Sequence, residues 1–369
     1  MASLSPRGEI LTDVPPFIVR RYTDPKAFLD DSYNFFLQEE TSSNILLAHA
    51  MTKSSEETPA ARPLTESGDP QFTLTTTDPA SPSPAASPDF WLVVWTKTSD
   101  PQPLLFLSSI SWKLGAYPIF LWSPKANTNI APEERSRQMR AIVQCLNTQV
   151  QPQRVFSVFG KGALVTNFAE LWKEETGFET EPEPFYDAFL THCTKRTLKP
   201  SAYSANSSDT APELPSGHSM HIATMDDLHS VAERCKEFAD DSIYFPMTLE
   251  SAEIEATMLI RKQQIWVYTV DGEAVSICAV TRTTVNVAGV TKVFTKPTSR
   301  KKGFAERLVR MVTAQLLKNK SAVVLYVGVT NDAQHVYDKI GFVGLCGKED
   351  PDVESALELG FKGTTRGHW

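Results

Sequence analysis

Apolar residues along this chain follow two periods. Some stretches repeat every three to four positions and others run continuously or alternate, which predicts helices interleaved with strands. Ala305, Leu308, Val309, Val312 and Leu316 form one helical stripe. Helical spacing also covers Pro25–Glu40, Glu133–Leu146, Met225–Phe238, Glu250–Arg261 and Ala333–Ile340. Strands are predicted at Trp91–Trp95, Leu104–Ser109, Val155–Gly160, Gln264–Val270, Ala274–Arg282, Val290–Thr295 and Ala322–Val329. Asp271-Gly272 between two of these is a hairpin turn signal. Two stretches break the pattern. Residues 52–88 and 199–217 are rich in Ser, Thr, Pro and Ala, with too few large apolar residues to fix themselves in a core. The expected organisation is a flexible N-terminus (1–16), an α/β unit (17–198) with a disordered insertion (52–88), a linker (199–217) and a second α/β unit (218–369).

The second unit carries the sharpest signal. A β-branched strand ends near Pro297, a basic turn Arg300-Lys301-Lys302-Gly303 follows, and the amphipathic helix begins at once. A helix N-terminus presents free N–H groups and the positive end of the dipole. Gly303 lets the backbone approach a ligand, and three cations gather there against a formal net charge of -8. A diphosphate suits such a site. No Gly-Lys-Ser/Thr follows the turn, and a dinucleotide fingerprint would need more glycines.

These residues resemble the GCN5-related N-acetyltransferase family. Arg300-Lys-Lys-Gly-Phe-Ala305 matches its Arg/Gln-x-x-Gly-x-Gly/Ala block. Val293-Phe-Thr-Lys-Pro297 is similar to its preceding strand, and Asn331…Tyr337-Asp-Lys-Ile-Gly-Phe342 to its downstream run. The resemblance covers about Met220 to Leu345. It implies a mixed, largely antiparallel sheet flanked by helices, and direct attack of an amine on the thioester of acetyl-CoA. It further implies a diphosphate held by Arg300, Lys301, Lys302, Gly303, Phe304 and Ala305. The pantetheine would pair with the edge of Val293, Phe294 and Thr295 and with Asn331, and a backbone N–H near Phe294 would steady the oxyanion.

Tyr337 is the expected acid. A phenol with a reference pKa near ~10 stays protonated and can donate to a departing thiolate. The same tyrosine would also suit a core position, and Asn331 would equally suit a helix cap. For the base, Asp240, Asp241, Glu250 and Glu253 lie in the helix pair on the acceptor side, and Glu250 is the first choice. Cys278 reads as a buried thiol and His335 as an exposed side chain.

The first unit shows the rhythm faintly. Phe168…Gly177-Phe178 echoes Val336…Gly341-Phe342, so it reads either as a degenerate repeat of the same fold or as an unrelated α/β cap. It lacks the glycine block and is not expected to hold coenzyme A. The aromatics of the C-terminal Gly360-Phe361…Trp369 are expected to dock onto the fold.

Composition narrows the classes. With 41% hydrophobic and 22% charged residues the chain reads as globular, and its net negative charge argues against nucleic acid as a partner. Five scattered cysteines with no CxxC pair argue against a metal site and point to a reducing compartment, the cytoplasm or the nucleus. No apolar run reaches bilayer length and Met1–Gly8 has no signal-peptide core, so no membrane is expected. The reading is an acetyl-CoA-dependent N-acetyltransferase acting on a small amine or amino acid derivative. Two rivals stay open: a protein Lys or N-terminal acetyltransferase, and a non-catalytic acyl-CoA-binding regulator.

Overall fold

A computed structural model describes residues 17–57, 89–125, 131–200, 214–242 and 244–367. In the first half, β1 (Phe17–Tyr22) leads into α1 (Pro25–Gln38) and α2 (Glu40–Glu57). Strands β2 (Phe90–Thr96), β3 (Pro103–Ser109), a small hairpin β4 (Ser111–Trp112) with β5 (Gly115–Ala116), and β6 (Ile119–Trp122) follow. Then come α3 (Pro132–Gln149), β7 (Ser157–Lys161), α4 (Gly162–Thr176) and β8 (Tyr186–Thr194). The second half runs β9 (His218–Ile222), α5 (Leu228–Asp240), α6 (Leu249–Arg261), β10 (Ile265–Val270), β11 (Glu273–Thr283) and β12 (Val287–Thr295). It closes with α7 (Phe304–Leu316), β13 (Ala322–Gly328), α8 (Ala333–Ile340) and β14 (Glu354–Gly360).

Hairpin β4–β5 apart, both halves spell the same order: strand, two helices, three strands, helix, strand, helix, strand. That recurrence decides between the two readings of the first half in favour of a repeat. The strands form one sheet in the order β1-β2-β3-β6-β7-β14-β8-β13-β12-β11-β10-β9. Read from its two edges, the sheet is the same sequence of elements except at its centre. There each half's last strand lies in the other half: β14 pairs with β7, and β8 pairs with β13. The two exchanged strands pair with each other, Ala356 opposite Ala188. A division at 199–217 therefore separates the repeats in sequence but not in hydrogen bonding.

A pseudo-twofold axis through the β14–β8 pair puts α1, α2, α5 and α6 on one face and α3, α4, α7 and α8 on the other. Alternation fills both faces. Ile265, Val267 and Ile277 pack under α5 and α6, whereas Trp266, Tyr268 and Cys278 pack under α7 and α8. In the first half, Trp91, Val93 and Trp95 face α1 and α2, and Leu92 and Val94 face α3 and α4. On the shared face α2 reaches the second half: Asn44 Nδ2 donates to Arg282 O (3.3 Å), and the Glu40 carboxylate accepts from Asn286 N and Nδ2 (both 2.8 Å).

Local signals set the boundaries. Asp24 caps α1 by accepting from Lys26 N (2.8 Å), with Pro25 at the first helical position. Asp271 and Gly272 both take positive φ (51° and 84°), as a two-residue hairpin turn requires. Helix α2 corrects the expected insertion boundary at residue 52, because it continues to Glu57. Its run Ile45–Ala48 is buried on successive positions, with Thr52 bonded back to Ala48 O, so it shows no single stripe. The N-terminus and the remainder of both low-complexity stretches lie outside the described residues, apart from 199–200 and 214–217. Trp369 does too, but Phe361 docks as expected, 2% exposed in the first half's core.

Candidate active site

Strands β12 and β13 run parallel and pair only from Val287 opposite Ala322 to Val290 opposite Leu325. Both continue beyond that point, β12 held on its other side by β11 and β13 by β8. They therefore part, and Thr291–Thr295 turns one backbone edge to the opening, where Thr295 O already accepts from Arg300 Nε. Lys296 N donates to Val275 O on β11 (2.9 Å), and Ser276 Oγ donates to Phe294 O. By alternation the peptide groups of Phe294 and Lys296 face β11, and those of Val293 and Thr295 face the opening. The amides that face the opening are thus those of Val293 and Thr295, with Phe294's own amide committed to the sheet.

At the same end lies the basic turn. Lys301 (φ 62°) and Gly303 (φ 79°) are both left-handed, and Gly303 is the residue before the first turn of α7. Left-handed residues in a turn aim successive N–H groups toward one side, as in anion nests. Phe304 anchors the helix start, stacked on Tyr268 at 4.5 Å. Arg300 turns back on the strand: its Nε donates to Thr295 O (3.1 Å), its guanidinium pairs with Asp241 (3.0 Å), and it covers the Phe294 ring. Arg300, Lys301 and Lys302 are all exposed. Ala305 is half-buried behind them.

The opening leads into a cavity of about 540 Å³ between the two halves. The first half contributes His49, Trp112, Tyr117 and Tyr186; α5 and α6 contribute Phe238, Glu255 and Met258; the sheet contributes Arg282, Lys292 to Phe294, and Glu358. Glu255 and Lys292 pair at 3.0 Å with side chains 9% and 10% exposed. Burial lowers the proton affinity of Lys292, but Glu255 more than restores it, leaving it above the ordinary lysine value. Burial, with Arg282 and Lys53 nearby, drives His49 well below the ordinary histidine range, so it is neutral there. Burial pushes the Glu358 carboxyl up to about 8 against a hydrogen bond from Ser157 Oγ (2.6 Å).

The structure brings Val293, Phe294 and Asn331 together on the cavity wall, with Thr295 at the end of the same strand. Asn331 Oδ1 accepts from Ala333 N (2.8 Å), the first residue of α8, from just outside the cap position held by Asp332. Tyr337 is buried in the core under α8, edge-on to Phe342 at 5.7 Å, and burial raises its phenol far above the ordinary value. It is not on the cavity wall. Tyr186 of β8 is, and it interacts with the Gly328 backbone where β13 leaves β12. Glu250 is exposed in the first turn of α6 and outside the cavity. The carboxylate of that helix which lines it is Glu255, more than a turn further on. Asp240 and Glu253 are also exposed, and Asp241 is held by Arg300. Cys278 is fully buried, its thiol pushed up to about 12, and His335 is exposed beside Cys346.

Sequence reasoning missed Glu255, His49, Arg282, Tyr186 and Glu358. Glu255 had a signal, standing in the apolar stripe Ala252, Ala256, Leu259. Glu358 had one too, sharing its strand face with Ala356 and Gly360. In the first half a smaller cavity of about 220 Å³ lies at the equivalent place. There β6 and β7 pair only at Ile119 opposite Val158 and Phe120 opposite Phe159, and a Cβ on Gly160 would stand 2.6 Å from Leu121 O.

Residues 235–351 match the family described as acetyltransferase (GNAT) domain. No curated protein matches the chain. Among solved structures it is similar to a GCN5-related N-acetyltransferase from Sphaerobacter thermophilus, with 13% identity over 93% of this chain and 95% of that one and a TM-score of 0.47. A GCN5-related N-acetyltransferase from Kribbella flavida is 15% identical over 70% of this chain and 87% of that one, TM-score 0.42. A tandem GNAT protein from the clavulanic acid biosynthesis pathway is 13% identical over 77% and 86%, TM-score 0.43.

Proposed function

From the premise that this chain carries a GNAT acetyltransferase domain over residues 235–351, we propose that it is an acetyl-CoA-dependent N-acetyltransferase whose acceptor is a small amine or amino acid derivative. One observation carries the reading: β12 and β13 part beside a left-handed basic turn and open into a cavity walled by both halves. The chain's own groups fit the cosubstrate. The N–H groups of the Arg300–Ala305 turn and the side chains of Lys301 and Lys302 would hold a diphosphate. The Val293 and Thr295 edge would take a pantetheine amide as an added strand. Acetyl-CoA supplies the acetyl group as a thioester.

A neutral amine nitrogen bonds to the acetyl carbon, the carbon–sulfur bond breaks, and the proton the nitrogen sheds makes good the one the leaving thiolate takes up, so amide and thiol leave neutral. The opening-facing N–H groups of β12 are placed to receive the carbonyl oxygen as it gains charge. Tyr337, kept protonated by burial, is the proposed proton donor to the thiolate, and Asn331 the proposed partner of the pantetheine. An acceptor site walled by both halves favours a small molecule over a polypeptide, and it gives the first repeat (17–198) the work of closing the pocket over the second (218–369). All five cysteines are free, in keeping with a cytoplasmic setting.

The test is free-thiol release from acetyl-CoA against amines, polyamines, amino acids and basic peptides, with coenzyme binding measured by calorimetry. Release with small amines is expected. Release with peptides alone would reverse the acceptor class. Tight binding with no release would favour the regulator reading, and no binding would sink the proposal.

A further inference from the structure

Glu358 sits on the exchanged strand β14 and is 0% exposed, yet it lines the cavity. Its Oε1 accepts from Ser157 Oγ on β7, and its Oε2 has no hydrogen-bond partner. Across on β8 stands Tyr186, a neutral phenol. No protein cation is among the groups that set the proton affinity of Glu358. The other carboxylate of the wall, Glu255, is neutralised by Lys292. A buried carboxylate with one donor and no counter-charge is unfavourable. A ligand that brought both a positive charge and an N–H donor would relieve it. The wall also carries the buried Arg282 of β11, whose charge faces Tyr117, Tyr186 and Tyr326, and the neutral His49 of α2. The remaining surface that meets such a ligand is aromatic and apolar, with Trp112, Tyr117, Phe238 and Met258.

We infer that Glu358 receives the ammonium group of the acceptor and acts as its general base, so that the acceptor class is an alkylamine, cationic at neutral pH, with an apolar or aromatic body. The inference rests on the proposed function for its catalytic half; its binding half stands alone. The proton passes from the substrate nitrogen to Oε2, leaving a neutral amine with its lone pair free and a neutral carboxyl held by Ser157. An alkylammonium titrates near ~10.4, as lysine does. Against a carboxyl pushed up to about 8, the transfer is disfavoured by roughly 250-fold, which leaves about 0.4% of the bound amine ready to attack. Bulk water at pH 7 leaves about a tenth of that.

Benzylamine and aniline separate the roles. Both fit an aromatic pocket, but at pH 7 benzylamine is a cation that must lose a proton and aniline is already neutral. E358Q is expected to lower kcat/KM for benzylamine at least ~100-fold and to leave aniline within about threefold, with acetyl-CoA binding unchanged. Equal losses on both amines would make Glu358 merely structural, and no loss on either would leave it idle; each result overturns the inference. Benzylamine binding to the wild-type chain, read by calorimetry from pH 6 to 9, needs neither the variant nor turnover. Affinity should rise about tenfold from pH 6 to 7 as the carboxyl ionises, then level off above its pKa. A flat profile, or no binding at any pH, overturns the inference. Failure of acetyl-CoA to bind would instead defeat the proposed function, and the benzylamine series would still decide this one.

Discussion

Replacing Glu255 by Gln should strand Lys292 as a buried cation. The two side chains meet at 3.0 Å and are about nine-tenths buried. Removing one partner of such a pair costs about 3–5 kcal/mol. A second route bounds the loss. The lysine can escape by giving up its proton, which from a reference value near ~10.4 costs about 4.6 kcal/mol at pH 7. The expected destabilisation is therefore about 3–4.5 kcal/mol at pH 7. Its pH dependence has a definite sign. In the wild type the folded value of Lys292 lies above the ordinary one, so its contribution is fully present below the ordinary value and is lost only as pH rises through the folded value. In Glu255→Gln the carboxylate's pull is gone, burial is the largest influence left beside the smaller ones of Cys235 and Tyr117, and the folded value is expected to drop below the unfolded one. The unfolded chain then binds more protons, and the variant gains stability as pH rises. At pH 9 the bound shrinks to about 1.9 kcal/mol. Urea unfolding at pH 7 and pH 9, extrapolated linearly, measures both values. A loss below about 1 kcal/mol at pH 7, or one that does not shrink at pH 9, would refute the reasoning. Replacing both residues by Met should recover most of the stability, since a buried ion pair is rarely better than an apolar one.

Gly303→Glu should weaken acetyl-CoA binding by more than ~100-fold on calorimetry, because it sets a carboxylate against the diphosphate and strains a left-handed position by about 1–2 kcal/mol. Tyr337→Phe should cut kcat by roughly 10²–10⁴ with the coenzyme Kd unchanged; if Tyr186→Phe produces that split and Tyr337→Phe does not, the acid is the tyrosine on the cavity wall. Gly360→Ala should cost roughly 1–3 kcal/mol, as its new methyl would stand 2.0 Å from Phe185 Cζ, and a shift in Tm reads it. Residues 17–198 and 218–369 expressed separately should be insoluble or should associate, which size-exclusion chromatography checks, since each lacks the strand that completes its sheet.

Much of the second half could be read in advance. The stripe on α7, the Asp271-Gly272 turn and the strand before the basic turn each carry a local signal strong enough to stand alone. Long-range pairing is what the sequence hides. Strand β8, Tyr186-Asp-Ala-Phe-Leu-Thr-His-Cys-Thr194, alternates too weakly to announce itself, and nothing in β14 says that it belongs beside β7. The coenzyme side of the site was legible because backbone and glycine do the binding there, at fixed spacing. The acceptor side was not. Its groups come from α2, β8, α6, β11 and β14, and only the exchange of strands brings them to one cavity.

That exchange also sets an order of events for a chain made from its N-terminus. Strand β7 is complete at Lys161, but the neighbour it needs begins at Glu354, after β8 and the whole of the second repeat. At synthesis rates of about 5–20 residues per second, the gap leaves an edge strand exposed for roughly ten seconds or more. An unpaired edge of that kind is a template for wrong partners, including another nascent chain. The nearest decoy is β8, which already pairs antiparallel with β14 in the finished sheet and could close onto β7 first. Completing the molecule would then mean opening that pairing to admit β14, so the part of the cavity wall that Glu358 supplies is finished only after the second repeat has been made.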